Sequence, residues 1–249
     1  MDSLYGRYRD EAYYQARHRV EPWYGQAANS SNLDPVIIDK RVAGIRSFIL
    51  PFLGAGDRDL VVADLGGDAG QFIPLDLAQE PYVVEASRRQ PVPGVIRVRD
   101  LSELPNDVGL LICSHVLEHM PDPRSFLDLQ LSSPRIRPGC LVYLEVPMER
   151  YTLSPVLGSE IYALYLQCIL RMPWLLICVD FLSVVARSFW GVIFPPLILK
   201  MHEHVNFFCL QSLRCMSESL NLELLDIRVD SASNLATHQG VIRALARKR

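Results

Sequence analysis

At 249 residues, with 49% apolar and 21% charged, the chain can bury a large core and is not disordered. That length suits one domain with an insertion. The formal charge is −3 and the 22 arginines are scattered, so the clustered basic face of a nucleic-acid binder is absent.

Residues 1–32 are polar and carry Tyr5, Tyr8, Tyr13, Tyr14 and Tyr24. They are expected to form a helical arm packed on the domain rather than a flap over a ligand. Asp34-Pro35 reads as an N-cap followed by proline at the first helical position. Ile38, Val42, Ile45, Ile49 and Phe52 then recur at helical spacing, predicting an amphipathic helix up to Gly54.

Beyond it come short runs rich in β-branched residues: 60–65, 82–85, 95–98, 109–114 and 140–146. Nearly continuous apolar strands imply a sheet covered on both faces. A helix is expected over 210–220, a strand over 223–229 and a final edge strand over 241–246. The expected fold is α/β, Rossmann-like and doubly wound, with a mostly parallel seven-stranded sheet. The domain would span 57–249, with residues 1–56 packing on it as arm and helix.

Residues 151–201 interrupt this pattern. They are almost uncharged, split by Pro173 and ended by Pro195-Pro196, which predicts an inserted pair of helices. Glu160, Gln167 and Arg171 fall on one stripe; Asp180, Ser183 and Arg187 fall on another. If the two stripes faced each other, the exterior would be apolar. The hairpin, 156–194, is then either a soluble lid or an element in peripheral contact with a membrane.

Six cysteines lie far apart with no C-x-x-C, and the N-terminus lacks a secretory apolar stretch. A reducing, cytoplasmic setting is expected (at most at the inner face of a membrane), with neither disulfides nor a metal site.

The first strand ends in Asp64-Leu65-Gly66-Gly67-Asp68-Ala69-Gly70. An acid followed by a glycine turn at a strand tip marks a ligand site. Counting from Gly66, the dinucleotide pattern G-x-G-x-x-G fails at Asp68 and Gln71, and no P-loop G-K-[ST] follows. Asp64 and Asp68 would repel a phosphate and suit a cationic ligand such as S-adenosylmethionine.

From these residues onward the sequence resembles the class I S-adenosylmethionine-dependent methyltransferases. DLGGDAG is similar to their glycine motif, with Asp64, Gly66, Gly67 and Gly70 as cofactor contacts. YVVEAS places Glu85 where that family holds the ribose hydroxyls, the bland alternative being a solvated strand end. VRDLSELP resembles the adenine-side loop, with Asp100 and Leu101 as contacts. LLICSHVLEHMPDP is similar to the fourth motif and puts Ser114 and His115 at the mouth of the site, His115 facing cofactor or acceptor. Glu118 and His119 read as structural, capping and packing the next helix. RPGCLVYLEVP is similar to the fifth-strand segment, and the match extends to about residue 227. Two departures are Asp68 for the middle glycine and Cys140 for a glycine of the fifth-strand segment.

His202-Glu203-His204 resembles a stretch of bacterial methyltransferases acting on sugars and polysaccharide precursors. As a metal set it is sparse. The resemblance implies S-adenosylmethionine as cofactor and O-methylation of a small-molecule or glycan-type acceptor, lipid-linked acceptors included. The catalytic candidates are His204, then His202, with His115 behind them; the alternative is that the two later histidines only orient Asn206 and Phe207-Phe208. A non-catalytic S-adenosylmethionine-binding protein is the rival reading, and an NAD enzyme is disfavoured by the failed fingerprint.

Overall fold

The structure is a computed structural model that describes residues 34–54, 60–86, 89–148, 160–190, 204–231 and 240–249, with Gln15, His18, Arg19, Pro22 and Trp23 before them. The first helix, α1, spans Pro35–Ile49; Asp34 caps it by accepting from Val36 N at 2.9 Å. Pro51 has no N–H to continue the ladder, so the helix tightens into a 3₁₀ turn over Leu50–Phe52, short of Gly54.

Seven strands follow: β1 (Leu60–Leu65), β2 (Ala78–Val84), β3 (Ile96–Val98), β4 (Leu110–Ser114), β5 (Leu141–Pro147), β6 (Leu222–Ser231) and β7 (Gly240–Lys248). Helix α2 (Pro123–Leu131) lies between β4 and β5, and α5 (Leu210–Ser219) precedes β6. Between β5 and α5 run α3 (Glu160–Arg171) and α4 (Pro173–Trp190).

The sheet order is β3-β2-β1-β4-β5-β7-β6. It is mixed rather than mostly parallel: β7 pairs antiparallel with both β5 and β6, while the other four pairings are parallel. Nor is β7 an edge strand. Its run Val241–Ala246 is buried on both faces, as an apolar strand must be, and β6 takes the edge.

Two cores flank the sheet. Ile45, Phe48 and Ile49 of α1 pack with Val62, Val83, Ile112 and Tyr143 on one face. On the other, Leu127 of α2 and Leu213 of α5 pack with Leu65, Leu111, Leu144 and Ala244. The chain winds outward from β1 through β2 to β3, then returns to lay β4 on the opposite side of β1. Such a reversal opens a crevice at the carboxyl ends of β1 and β4, and that is where an α/β sheet binds ligands.

Within residues 151–201 the structure describes 160–190, the span of α3 and α4. Of the polar stripes, Glu160, Gln167 and Arg171 are exposed, whereas Asp180 and Ser183 are buried. Asp180 accepts from Trp23 N at 2.8 Å, and the Trp23 ring meets Phe181 edge-on at 5.6 Å. Part of the N-terminal arm thus packs on α4. Arg187's side chain, the five arm tyrosines and the hairpin ends at 156–159 and 191–194 lie outside the description. No helix among the described residues is long and apolar enough to cross a membrane.

Candidate active site

Strand alternation builds the site. On the α1 face, Val62 is followed two residues later by Asp64, Ile112 by Ser114, and Tyr143 by Glu145. Each core series therefore ends in a polar group at the carboxyl edge.

The turn after β1 is shaped by its own acid. A Cβ on Gly67 would stand 2.0 Å from Asp64 Oδ2, so only glycine lets the carboxylate fold over the turn. Asp64 is 2% exposed, and its Oδ1 has no hydrogen-bond partner among the described residues. Burial, partly offset by the Arg41 charge, pushes its pKa up to about 7, and Glu85, Glu145 and Asp68 add to the rise. Asp68 takes the left-handed conformation (φ +58°) that the missing glycine would take, which Asp tolerates better than most residues; its carboxylate meets Arg89. The departure in the motif therefore leaves the turn intact.

Gly70 is more demanding. Its φ is +73°, and a Cβ would lie 2.8 Å from Val95 Cγ1. We expect Gly70→Ala to lose about 1–3 kcal/mol of stability in urea unfolding. A loss under about 0.5 kcal/mol would show that the turn is not so constrained.

Glu145 centres a polar group that the sequence reading missed. It is 1% exposed. Its Oε1 accepts from Ser114 Oγ (2.9 Å) and Arg41 Nε (3.2 Å); its Oε2 accepts from Tyr143 OH and Arg243 Nε, both at 2.8 Å. Arg41 Nη2 also donates to Ser114 Oγ at 2.8 Å, and its guanidinium lies 4.0 Å over the Phe72 ring. Arg243 reaches on to Asp230 at 2.8 Å. Burial disfavours the Glu145 charge, yet Arg41, His115 and Arg243 hold its carboxyl well below the usual range. One signal was legible: Glu145 and Arg243 are the lone charges of the apolar runs Leu141–Val146 and Val241–Ala246, and buried charges need partners.

His115 sits at the end of β4 with φ +56°. Its Nδ1 lies 3.1 Å from Glu118 Oε1 and its Nε2 lies 3.4 Å from Glu145 Oε1. Burial and the Arg41 charge oppose its protonation, but the hydrogen bonds to Glu118 and Glu145 prevail and raise its pKa. Both ring nitrogens are thus spent on carboxylates.

The other expected residues are dispersed along the same edge. Glu85 is half-buried beyond β2, its N–H donating to Val98 O at 3.0 Å. Asp100 is exposed and caps the 3₁₀ turn Leu101–Glu103 by accepting from Ser102 N at 2.8 Å. Leu101 packs into the core at 2% exposure, so its side chain offers little to a ligand. Glu118 does not cap the next helix: Asp122 does, accepting from Ser125 N at 3.0 Å. Instead Glu118 and His119, from the 3₁₀ turn Leu117–His119, meet His204. His202 lies outside the described residues.

A seven-stranded sheet in this order, with an acid–glycine turn at the β1 tip, Glu85 just beyond β2 and Glu145 near the end of β5, has the fold of the class I methyltransferases. The particular structures it is similar to are these. Magnesium protoporphyrin IX methyltransferase from Synechocystis PCC 6803 with bound SAH aligns with a TM-score of 0.54 at 12% identity over 100% of both chains. The same enzyme with bound SAM gives 0.51 at 11% identity, covering 100% of this chain and 97% of the other. The 1,6-didemethyltoxoflavin-N1-methyltransferase of Burkholderia thailandensis, with bound 1,6-didemethyltoxoflavin and S-adenosylhomocysteine, gives 0.52 at 12% identity over 96% and 90%. No family model and no curated protein sequence matches the chain.

Proposed function

We propose that this chain is an S-adenosylmethionine-dependent methyltransferase that O-methylates a small-molecule acceptor. The observation that carries the reading is the Asp64 cradle, a buried carboxylate with one oxygen that has no hydrogen-bond partner among the described residues, over a glycine turn at the switch point of this fold. That donor set fits the cofactor's cationic amino acid end. Glu85, half-buried just beyond β2, would accept from the ribose hydroxyls, and the turn capped by Asp100 would border the adenine through its backbone. When bound, S-adenosylmethionine supplies a methyl group activated by a sulfonium.

The chain's own work is alignment, dryness and proton transfer. Arg41, packed on Phe72 and tied to Ser114 and Glu145, fixes one wall. His115, with both nitrogens occupied, is a positioning group; His204 is the preferred proton acceptor, with His202 as second candidate. Acceptors linked to glycans or lipids fall within the reading. Supporting the last are Leu164, Trp174, Ile177, Phe181, Leu182 and Phe189, which are exposed on α3 and α4. Flotation with liposomes tests this: a chain that stays at the bottom of the gradient leaves the helices as a soluble lid.

Calorimetric titration with S-adenosylmethionine and with NAD tests the cofactor, and binding of NAD alone would overturn the reading. Turnover on hydroxylated acceptors separates an enzyme from a non-catalytic binder. Glu85→Ala is expected to weaken cofactor binding by about 1.5–3 kcal/mol, the loss of charge-assisted bonds to two hydroxyls. Unchanged affinity would remove Glu85 from the ribose.

A further inference from the structure

The turn after β4 and the segment before α5 are fastened together. Val205 N and Asn206 N both donate to Glu118 O, at 2.8 and 3.0 Å, and Asn206 Nδ2 donates to Met120 O. This sets His204 against His119, with ring centroids 4.9 Å apart and planes at 74°. One ring nitrogen from each histidine and one carboxylate oxygen of Glu118 all lie within 4.8 Å of one another.

Glu118 is fully buried. Its Oε1 is engaged by His115 Nδ1, but its Oε2 is buried with no hydrogen-bond partner among the described residues. A buried carboxylate oxygen without a donor is costly, and a bound cation would relieve that cost. Both histidines remain half-buried, which leaves room for entry from solvent.

We propose that Glu118, His119 and His204 hold a divalent transition-metal cation of the Zn²⁺ type, with one coordination position open. Two imidazoles and a carboxylate form the donor set of open zinc sites. Ligand atoms at about 2.0–2.2 Å from such an ion stand roughly 3.5 Å apart, so side-chain adjustments of about 1 Å close the site. His115 is the outer group that orients the carboxylate. In a part that rests on the methyltransferase reading, the open position would take the acceptor's oxygen and lower the pKa of its proton, which is lost to solvent water. The oxygen then bonds the methyl carbon as that carbon's bond to the sulfonium sulfur breaks, leaving a neutral thioether. His204 then serves as a ligand, and the metal replaces it as the source of acceptor activation.

The test uses the full chain, stripped with chelator and titrated calorimetrically with ZnCl₂ and separately with S-adenosylmethionine. One Zn²⁺ per chain is expected, with affinity at least about tenfold weaker in His119→Asn and in His204→Asn. Glu118→Gln alters a buried group that folding needs, so the two histidine variants, with native circular dichroism, carry the test. Absence of stoichiometric Zn²⁺ binding, or binding that survives both variants, overturns the site. Zn²⁺ binding without S-adenosylmethionine binding leaves the cation site standing and removes the cofactor reading; the reverse result removes only the cation site.

Discussion

Glu145→Ala is expected to cost about 3–5 kcal/mol of folding stability, the range for removing one partner from a buried ion group. The carboxylate accepts from Ser114, Arg41, Tyr143 and Arg243, so its removal takes an acceptor from four donors at once. Arg243 would keep Asp230, and Arg41 would keep Ser114 Oγ and the Phe72 face. Glu145→Gln preserves volume but turns one acceptor oxygen into a donor facing other donors, so it should recover little. The pH dependence has a definite sign. Glu145's folded pKa is depressed, so its contribution is fully present above 4.5 and is lost as pH falls toward the folded value. Urea unfolding of the chain and both variants at pH 7 and in acid measures this. A loss below about 1 kcal/mol at pH 7, or a gap between the proteins that widens in acid, would contradict the assignment.

The sequence made the sheet legible because burial leaves a local trace. Apolar runs such as Leu60–Leu65 and Leu141–Pro147 have no other stable use than strands in a covered sheet. The glycine turn was legible for a similar reason: left-handed φ at Gly66 and Gly70 restricts the residue type within a few positions. Partnerships between distant residues leave no such trace. Glu145 meets Arg41 and Arg243 only after β5 is bracketed by α1 and β7. The meeting of His204 with Glu118 and His119 is another: the two partners come from the turn after β4, far away in sequence. The place of β7 was missed because a terminal strand suggests an edge, and only the unbroken burial of Val241–Ala246 argues otherwise. The Asp180 contact is again a partnership between distant residues: the carboxylate accepts from Trp23 N, from the other end of the chain.

Asp64→Asn is expected to stabilise the cofactor-free chain above neutrality while weakening cofactor binding. Burial raises Asp64's pKa from 3.8 to about 7. The folded state therefore holds the extra proton between these values, so stability falls as pH rises from about 4 to 7 and stays low beyond. Roughly three pKa units correspond to about 4 kcal/mol at most. Asparagine escapes that penalty but buries an amide whose hydrogens need acceptors, so a net gain of about 2 kcal/mol at pH 8 is expected, vanishing near pH 4. A cationic ligand reverses the preference, because only the ionised carboxylate pairs with it. Affinity for S-adenosylmethionine should then fall about tenfold per pH unit as pH drops below 7. In Asp64→Asn the affinity should lose this slope and be weaker at pH 7.5 by about 1.5–3 kcal/mol, the worth of a hydrogen bond to a charged group. Calorimetry from pH 5.5 to 7.5, with urea unfolding at pH 4 and 8, measures both arms. A flat affinity profile in the unmodified chain would detach Asp64 from the ligand, and an asparagine variant less stable than the parent at pH 8 would show that the buried acid is already satisfied.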